Sequence, residues 1–531
     1  MPEITHERPD PQETAERVRL MRDGLLNYLP TVISGLVSLV LVPILLTHLN
    51  LETYGLWIAA VAVAGTVRMV DFGLAPNITR QVAIASGNGA RDAYPFVRAA
   101  AGAFTAIGVL GAVLVSLIGF PMRDALGLSG DTRAAAPAVF FLVGFTLFHD
   151  QLFLFSAAVL QGLRRFGSAA FFSLILTLTK GAGTVAVLWA GKGVISVAAW
   201  QALATAGCSW AIVRFVARQP GFHWRPGWFD WTLLRKELRF GLGSQLANLA
   251  GSFARQMPPL LIGVISGSAA VVPYHIGQRF PLAVSGFTRA TANALFPAAS
   301  QAHERGGAEV RAIVETGTRW LLMTALPLTI VFILLAPSIL HVWIGTAPAA
   351  TLPVFRILAG AVLAEALGAG ALNVLWGAGR VGTVLAVLSA QVVVSFALSL
   401  TLLTRIGIVG PAWGIFLPAV AGSLALLATA SRVYRTGFLA MLSASSRGLL
   451  FPSLACAASV LGLSYLLPPA QGFAIILIAM VSGFIYLGSL YGLESRGEER
   501  KILREIGLLP VRIVRTAFRR TGGVSPESAP R

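Results

Sequence analysis

Long runs of apolar residues alternate along this chain with short polar connectors. Most runs are close to the roughly 20 residues that an α-helix needs to cross the hydrocarbon of a bilayer. The connectors, such as SGNGARD, GLSGD and LPPAQ, are short and carry turn residues, so consecutive helices are expected to be antiparallel neighbours. The pattern predicts an all-α integral membrane protein with about fourteen transmembrane helices. The predicted spans, one to fourteen, lie at residues 24–48, 55–82, 95–119, 134–160, 168–190, 194–216, 238–263, 268–299, 314–340, 351–377, 381–404, 408–432, 448–467 and 471–492.

The composition excludes an ordinary soluble protein. Of the 531 residues, 56% are hydrophobic and only 12% are charged, whereas soluble chains carry roughly 25% charged residues. The two cysteines, Cys208 and Cys456, lie within apolar runs, so no disulfide framework is expected. The polar N-terminus lacks the apolar core of a signal peptide, and the first run is therefore expected to remain as a helix.

The basic residues are distributed unevenly between the two sides of the predicted bundle. The net charge is +18, from 41 Lys and Arg against 23 Asp and Glu. When the connectors are assigned to alternate sides, one side collects nearly all of the basic residues. By the positive-inside rule that side is cytoplasmic, and with an even number of spans both termini are cytoplasmic. No basic globular domain is predicted, so the charge indicates anionic lipids and not nucleic acid. The other side receives only Arg123, Arg133, Lys192 and Arg405.

The two halves of the chain share residues at an offset of 215 to 217 positions. The segment VLQGLRRFG also resembles VLWGAGRVG in the second half. The offset spans an even number of helices, so both halves enter the membrane in the same orientation. This predicts two six-helix lobes related by an axis along the membrane normal, followed by two additional helices. The matching pairs are Gly24 with Gly241, Pro43 with Pro259, and Pro121 with Pro337.

The repeat and the polar segments divide the chain into six regions. The linker between the lobes interleaves Trp with charged residues, and the C-terminal tail is basic with periodic Leu and Ile. Both are expected to form interfacial helices on the cytoplasmic leaflet. The regions are a cytoplasmic N-terminal segment at 1–23, an N-lobe at 24–219, a cytoplasmic interfacial linker at 220–237, a C-lobe at 238–435, the last two spans at 436–492 and a basic cytoplasmic tail at 493–531.

Two predicted spans carry polar residues at the same helical spacing, on one face of each helix. Such a face borders a water-filled cavity or provides small polar contacts between helices. For span one both interpretations stand, whereas the arginine in span seven favours a cavity. The residues are Asn27, Thr31, Ser34 and Ser38 in span one, and Ser244, Asn248, Gly251 and Arg255 in span seven.

Cations outnumber acids within the predicted spans. A charge at mid-membrane costs at least a few kcal/mol, so surplus cations without internal partners indicate an anionic ligand. Arginine forks suit phosphate oxygens in particular. We therefore expect a cationic substrate cavity formed by Arg255, Arg279, Arg289, Arg68 and Asn248. The cations are Arg68, Lys180, Arg255, Arg279, Arg289, Arg319 and Arg356, and the acids are Asp71, Asp150 and Glu365.

Other residues of this set have structural interpretations as well. Asp71, Lys180 and Asn27 are expected to serve ion coupling or to form the wall of a lobe. Asp71 can instead neutralise Arg68 three residues before it, and Lys180 can pair with Asp150.

Two further predictions concern where charged and polar side chains lie on their helices. Arg319 and Arg356 lie near span ends and are expected to extend to the interface. Span eight places His275, Arg279, Ser285, Arg289 and Asn293 on about a third of the helix circumference, although Pro281 is expected to kink it.

Sequence motifs of enzymes are absent. The chain has no Walker A motif, no HExxH motif and no Cys/His cluster with metal spacing. No catalytic residues, metal or cofactor are therefore expected.

The segment LLTHLNLETYGLWIAAVAVAGTVRMVDFGLAPNITRQVA resembles the opening of bacterial polysaccharide exporters and O-antigen flippases. The similarity rests on Tyr54-Gly55-Leu56-Trp57 and on Asp71 with Gly73, and VLQGLRRFG and LAPSILHVWIG are similar too. This family belongs to the multidrug/oligosaccharidyl-lipid/polysaccharide exporter superfamily.

The resemblance implies a V-shaped bundle of two lobes in the bacterial inner membrane. It implies flipping of an undecaprenyl-diphosphate-linked oligosaccharide to the periplasmic leaflet, beside a polysaccharide polymerase and glycosyltransferases. The lipid tail is then expected in a groove between a lobe and the last two spans.

Three other functions remain open. A multidrug cation antiporter of the same superfamily would require acidic residues in the cavity. A lipid II flippase would share the cationic cavity and differ in its substrate. A membrane glycosyltransferase or polymerase would require a large soluble loop or catalytic acids.

Overall fold

A computed structural model describes residues 11–68, 73–87, 94–219, 253, 256–286, 288, 292 and 307–493. Within these ranges, the side chains of residues 11–28, 87, 94, 307–310, 312, 313 and 493 lie outside the description. The predicted interfacial linker and basic tail also lie outside the described residues. The described helices are α1 Pro11–His48, α2 Leu51–Arg68, α3 Leu74–Gly87, α4 Tyr94–Ala125, α5 Gly130–Gly162, α6 Phe166–Trp189, α7 Val194–Ala217, α8 Gln256–Ser266, α9 Ser268–Gly277, α10 279–286, α11 Gly307–Ile344, α12 Thr351–Gly377, α13 Val381–Ile406, α14 Gly410–Val433, α15 Phe438–Ser446, α16 Leu450–Leu466 and α17 Gly472–Leu493.

The prediction of an all-α membrane protein is confirmed. In the described part of the chain, nine segments are long and apolar enough to cross a bilayer, or ten if the bent pair α15–α16 forms one span. One of the nine, residues 381–433, comprises α13 and α14. These two helices pack so closely that a side chain on Gly414 would overlap Ser399. The full number of spans stays a prediction, because much of predicted spans seven and eight lies outside the described residues.

Two of the predicted spans are broken. Span two consists of α2 and α3, and Gly73 before α3 has a positive φ of 76°. Span eight begins as α9, which ends at Gly277, and resumes as α10 after a turn at Gln278. The cause is Pro281, whose ring lacks an N–H and clashes with the carbonyl four residues earlier, which belongs to Gly277. The expected kink is therefore a break in front of the proline.

The buried apolar residues form one core shared by both lobes and two separate cores. The shared core joins N-lobe residues such as Leu126 and Leu188 to C-lobe residues such as Val271 and Leu403. The two separate cores lie towards the opposite end of the bundle, which carries the turns near 163–165, 378–380 and 434–437. The buried members of the first come from the N-lobe, and those of the second come from the C-lobe apart from Met441 of α15. The first includes Phe104, Phe155 and Leu160, and the second includes Val314, Leu375 and Leu427.

The lobes contact each other closely at one end of the bundle. This closed end carries the turns near Asn50, Leu126 and Gly267, and is the end predicted to be periplasmic. A Cβ on Gly55 in α2 would overlap the backbone carbonyl of Ser268 in α9. The Ser268 N–H donates to the Leu126 carbonyl at 3.0 Å. Because backbone meets backbone here, the approach of α2 to α9 depends on the absence of a side chain at Gly55.

We expect Gly55→Val to force α2 away from α9 and to open the closed end, since backbone atoms of Ser268 cannot yield as a flexible side chain would. Spin labels are placed at Asp131, at the exposed start of α5, and at Thr346, in the exposed turn after α11. Double electron–electron resonance on the reconstituted protein should show a longer distance between them. Gly207→Val is the matched control, because a side chain there meets nothing within 4 Å. An unchanged distance distribution in Gly55→Val would contradict the contact.

Candidate functional site

A polar cluster joins the two lobes just inside the closed end. The guanidinium of Arg279, at the start of α10, contacts the ring of His275 one turn earlier on α9. The His275 ring meets Tyr54 of α2 edge-on, with ring centroids 6.0 Å apart. Nε of Arg279 is buried and has no hydrogen-bond partner among the described residues. The break before Pro281 thus leaves a cation at the interface between the lobes, and its Nε–H is an unused hydrogen-bond donor.

This cluster lines a cavity of about 110 Å³, called here the Arg279 cavity. Its walls come from α1, α2, α6 and α7 of the N-lobe and from α9 and α10. Thr184 of α6 accepts a hydrogen bond from the amide of Gln201 of α7 at 3.3 Å, which orients that amide. The cavity therefore combines an arginine with neutral polar groups inside an otherwise apolar bundle. The polar lining residues are Ser38, Tyr54, Trp57, Thr184, Gln201, His275 and Arg279.

A second cavity of about 230 Å³, called here the Asp150 cavity, lies further along α2. The carboxylate of Asp150 on α5 is 3.5 Å from the Lys180 ammonium on α6. Its other oxygen is 3.8 Å from the Arg68 guanidinium at the end of α2. Two cations therefore share one carboxylate, and the cluster has a net charge of +1. Thr146 and Gln201 add neutral polar groups to the lining.

The two cavities adjoin, because Trp57, Val61 and Gln201 line both of them. Trp57 and Val61 lie one turn apart on α2, so α2 forms the common wall. The cations at Arg279 and at Arg68 thus border one series of spaces that begins between the lobes and continues into the N-lobe.

Of the residues predicted for the cationic cavity and its wall, the structure brings Arg279, Arg68 and Lys180 to these adjoining cavities. The remaining assignments stay predictions. Arg255, Arg289, Asn248 and Asp71 lie outside the described residues, as does the side chain of Asn27.

Some expectations about individual side chains were wrong. Arg319 does not extend to the interface, because it is only 6% exposed and packs beside the turn at Gly448. The predicted polar face of span eight is also divided, because Ser285 donates to Glu365 of α12 at 3.1 Å. His275 and Arg279 instead face α2. Arg279 and Ser285 lie six residues apart on α10, which at roughly 100° per residue places them about 120° apart around the helix, so they face different neighbours.

Several residues that line the cavities were not predicted from the sequence. Tyr54 and Trp57 entered only as parts of a family motif, and Thr184 and Gln201 were not considered. Gln201 carried a usable signal, since it is the only carboxamide in predicted span six and a polar group in a membrane helix needs a partner.

An apolar groove of about 670 Å³ lies on the C-lobe, beside the turn between α15 and α16. Its walls come from α11, α12 and α14, with Leu322, Leu363 and Phe416 among the lining residues. Leu450 at the start of α16 closes one side and is 74% exposed. This is the position, between a lobe and the last helices, where a groove for a lipid tail was expected. Among the described residues, no group of His, Cys, Asp and Glu is arranged to hold a metal ion.

Comparison with known proteins gives both a family and a fold. The family model for "Polysaccharide biosynthesis protein" matches residues 49–348. A search among curated proteins found no match.

Solved structures of several transporters share the fold at low sequence identity. The lipid II flippase MurJ in an inward closed conformation is 14% identical, with a TM-score of 0.68 over 88% of this chain and 99% of that one. An inward-facing multidrug resistance MATE transporter of the MOP superfamily is 15% identical, with a TM-score of 0.59 over 78% and 98%. A MOP superfamily transporter from Pyrococcus furiosus with reversed polarity of its binding pocket is 16% identical, with a TM-score of 0.52 over 80% and 95%. The chain therefore has the fold of MOP superfamily transporters, as the resemblance implied.

The ion pair in the Asp150 cavity predicts a stability effect. Lys180→Met leaves the Asp150 carboxylate, which is 18% exposed, with only the more distant Arg68. We expect a loss of about 1–2 kcal/mol, seen as a lower midpoint of thermal unfolding in detergent. Adding Asp150→Asn should restore most of the loss. Lys192→Met, in an exposed turn, is the control, and an equal loss there would show that the pair adds nothing.

Proposed function

Because the chain belongs to the polysaccharide biosynthesis protein family, we propose that it is a flippase for a lipid-linked oligosaccharide. The substrate would be an undecaprenyl-diphosphate-linked oligosaccharide, carried across the bacterial inner membrane for cell-surface polysaccharide biosynthesis. The observation that carries the proposal is the surplus of cations around the adjoining cavities. Among the described residues that line them, Arg68, Lys180 and Arg279 stand against one acid, Asp150.

The charge of the cavities matches the diphosphate of such a substrate. A cation held in a membrane bundle without a full partner is costly, and an anionic ligand lowers that cost. Arg279 is suited to phosphate, because its guanidinium lines the cavity and Nε has an unused donor. The sugars would face the neutral polar groups, such as Gln201 and Thr184.

The apolar groove on the C-lobe supports a substrate that carries a polyprenyl tail. A polyprenyl chain is an apolar ligand that gains free energy by leaving water and packing against apolar side chains. The groove is lined largely by Leu, Ala and Phe and borders the exposed start of α16. A tail seated there would remain in contact with lipid while the headgroup moves.

The arrangement of cores supports transport by alternating access. The lobes share a core and meet by backbone contact at the closed end, whereas each lobe has its own core at the other end. Two bodies joined at one end can rock about that junction. With the termini cytoplasmic, the closed end faces the periplasm and the substrate enters from the cytoplasmic side. Glycosyltransferases would supply this substrate, and a polymerase would use the product.

The alternative functions differ in their expected ligand. A multidrug cation antiporter is disfavoured, because the described residues that line the cavities include more cations than acids. A lipid II flippase remains the second candidate, since its substrate carries the same diphosphate and tail. A membrane glycosyltransferase is disfavoured, because the longest polar segment between predicted spans is only the 217–237 region.

Arg279→Ala is expected to abolish surface polysaccharide production in a strain that depends on this chain, because the diphosphate loses its guanidinium partner. Arg279→Lys should retain partial function, since it keeps the charge and loses the planar fork. The measurement is glycan at the cell surface, with protein in the membrane fraction as the check on insertion. Arg356→Ala is the matched control, because Arg356 is exposed and donates to the Ile333 carbonyl of a neighbouring helix. Normal production with Arg279→Ala would refute the cavity assignment, and failure of peptidoglycan synthesis instead would favour a lipid II flippase.

Leu363→Trp should fill part of the apolar groove and reduce glycan export by obstructing the tail, while pyrophosphate binding to the purified protein stays unchanged. The control is Leu461→Trp, the same substitution at a position on α16 that is 59% exposed and outside the groove. Equal export by the two variants would argue against a tail in this groove.

A further inference from the structure

The Asp150 cavity contains an acid in a place where an anionic ligand is expected to bind. Asp150 lies in the middle of α5, and its side chain is only 18% exposed. If the cavity served only to attract anions, a carboxylate there would weaken it. If the pair were only structural, Lys180 alone would neutralise the acid.

The two cations hold Asp150 differently. Lys180 is 21% exposed and lies at 3.5 Å, whereas Arg68 is 53% exposed and lies at 3.8 Å, close to the limit of an ion pair. An exposed pair at that distance contributes little to stability. Arg68 is therefore the partner that can be released, and Lys180 is the one that stays.

We infer that Asp150 is an internal substitute for the phosphate of the ligand. Before the ligand binds, the Asp150 carboxylate forms an ion pair with Arg68. An entering diphosphate, which carries two negative charges against one, displaces Asp150 from Arg68 while Lys180 keeps Asp150 neutralised. On release, Asp150 returns to Arg68. The inference rests on the proposed function only in taking the ligand anion to be a diphosphate.

The geometry of the cavity allows this exchange. A water molecule takes about 30 Å³ of liquid, so a space of about 230 Å³ has room for a phosphate group beside the ion pair. Arg68 is the last residue of α2, and its exposed side chain can turn from Asp150 to a ligand without moving the helix. The surplus charge of +1 attracts a second anion, and the internal acid limits how tightly that anion is held.

The test is the binding of inorganic pyrophosphate to the purified full-length protein in nanodiscs, measured by calorimetry. Asp150→Asn should bind up to about fivefold more tightly than wild type, because the exposed ion pair between Arg68 and Asp150 no longer has to be broken. Adding Arg68→Gln should remove that gain. Acetate, with one charge, should not displace Asp150 and should bind wild type weakly. Asp124→Asn is the matched control, since Asp124 pairs with Arg133 in an exposed turn outside both cavities.

A second variant separates displacement from net charge. Asp150→Asn with Lys180→Met has the same local charge as wild type but frees Arg68. Tighter binding by this double variant supports displacement. Tighter binding by Asp150→Asn alone, with the double variant equal to wild type, would mean that only the charge matters and would overturn the inference. The double variant also avoids an unpaired lysine, so loss of folding cannot imitate either result.

Export in cells distinguishes the inference from the proposed function. Asp150→Asn should export glycan more slowly although it binds pyrophosphate more tightly, because release is impaired. If wild type and Asp150→Asn bind pyrophosphate equally, or neither binds it, the inference fails while glycan export can still depend on the protein. If the binding results are as expected but a strain lacking the protein exports glycan normally, the anion site stands and the proposed function fails.

Discussion

Hydrocarbon cannot hydrate a charged side chain, and this constraint determines where the chemistry of the protein can lie. In the described residues every element is a helix, which satisfies the backbone within each segment. The charges of the N-lobe interior gather where α2, α5 and α6 meet, and there Arg68, Lys180 and Asp150 share one cavity. Among the described residues, a polar route through the bundle can follow this cluster, because each cation needs either the carboxylate or a ligand anion beside it.

Helix α2 connects this route to the junction of the lobes. At one end Gly55 meets the backbone of α9, in the middle Trp57 and Val61 line both cavities, and at the other end Arg68 reaches Asp150. A movement that separates α2 from α9 must therefore also shift the wall of the cavities. Helix α2 alone therefore couples the opening of the closed end to the position of the Arg68 cation.

The sequence was sufficient for features that depend on local composition, but it predicted contacts between distant residues only in part, such as the Lys180–Asp150 pair observed at 3.5 Å. Hydropathy predicted the helical membrane fold. The rule that buried charge needs a partner predicted Arg279 and Arg68 for the cavity and Lys180 for ion coupling or the wall of a lobe, and all three line the adjoining cavities. Sequence proximity suggested Asp71 as the partner of Arg68. Asp71 lies outside the described residues, and the partner observed among them is Asp150, which lies on another helix. The break in span two was not predicted, because an average over a window does not register a left-handed glycine, and the break in span eight was expected only as a kink at Pro281.

A flippase must release its ligand as well as bind it, and this limits how strong a cationic site can be. A site of three cations without an acid would bind a diphosphate so tightly that its release would be slow. In the same way, an ion site in a channel that binds too tightly stops conduction. Asp150 reduces the surplus from three charges to two across the adjoining cavities, where Arg279 is the third cation. It also provides an alternative partner for Arg68 at the moment when the ligand departs. By this inference, the acid within the anion-binding cavity is the group that makes the binding reversible.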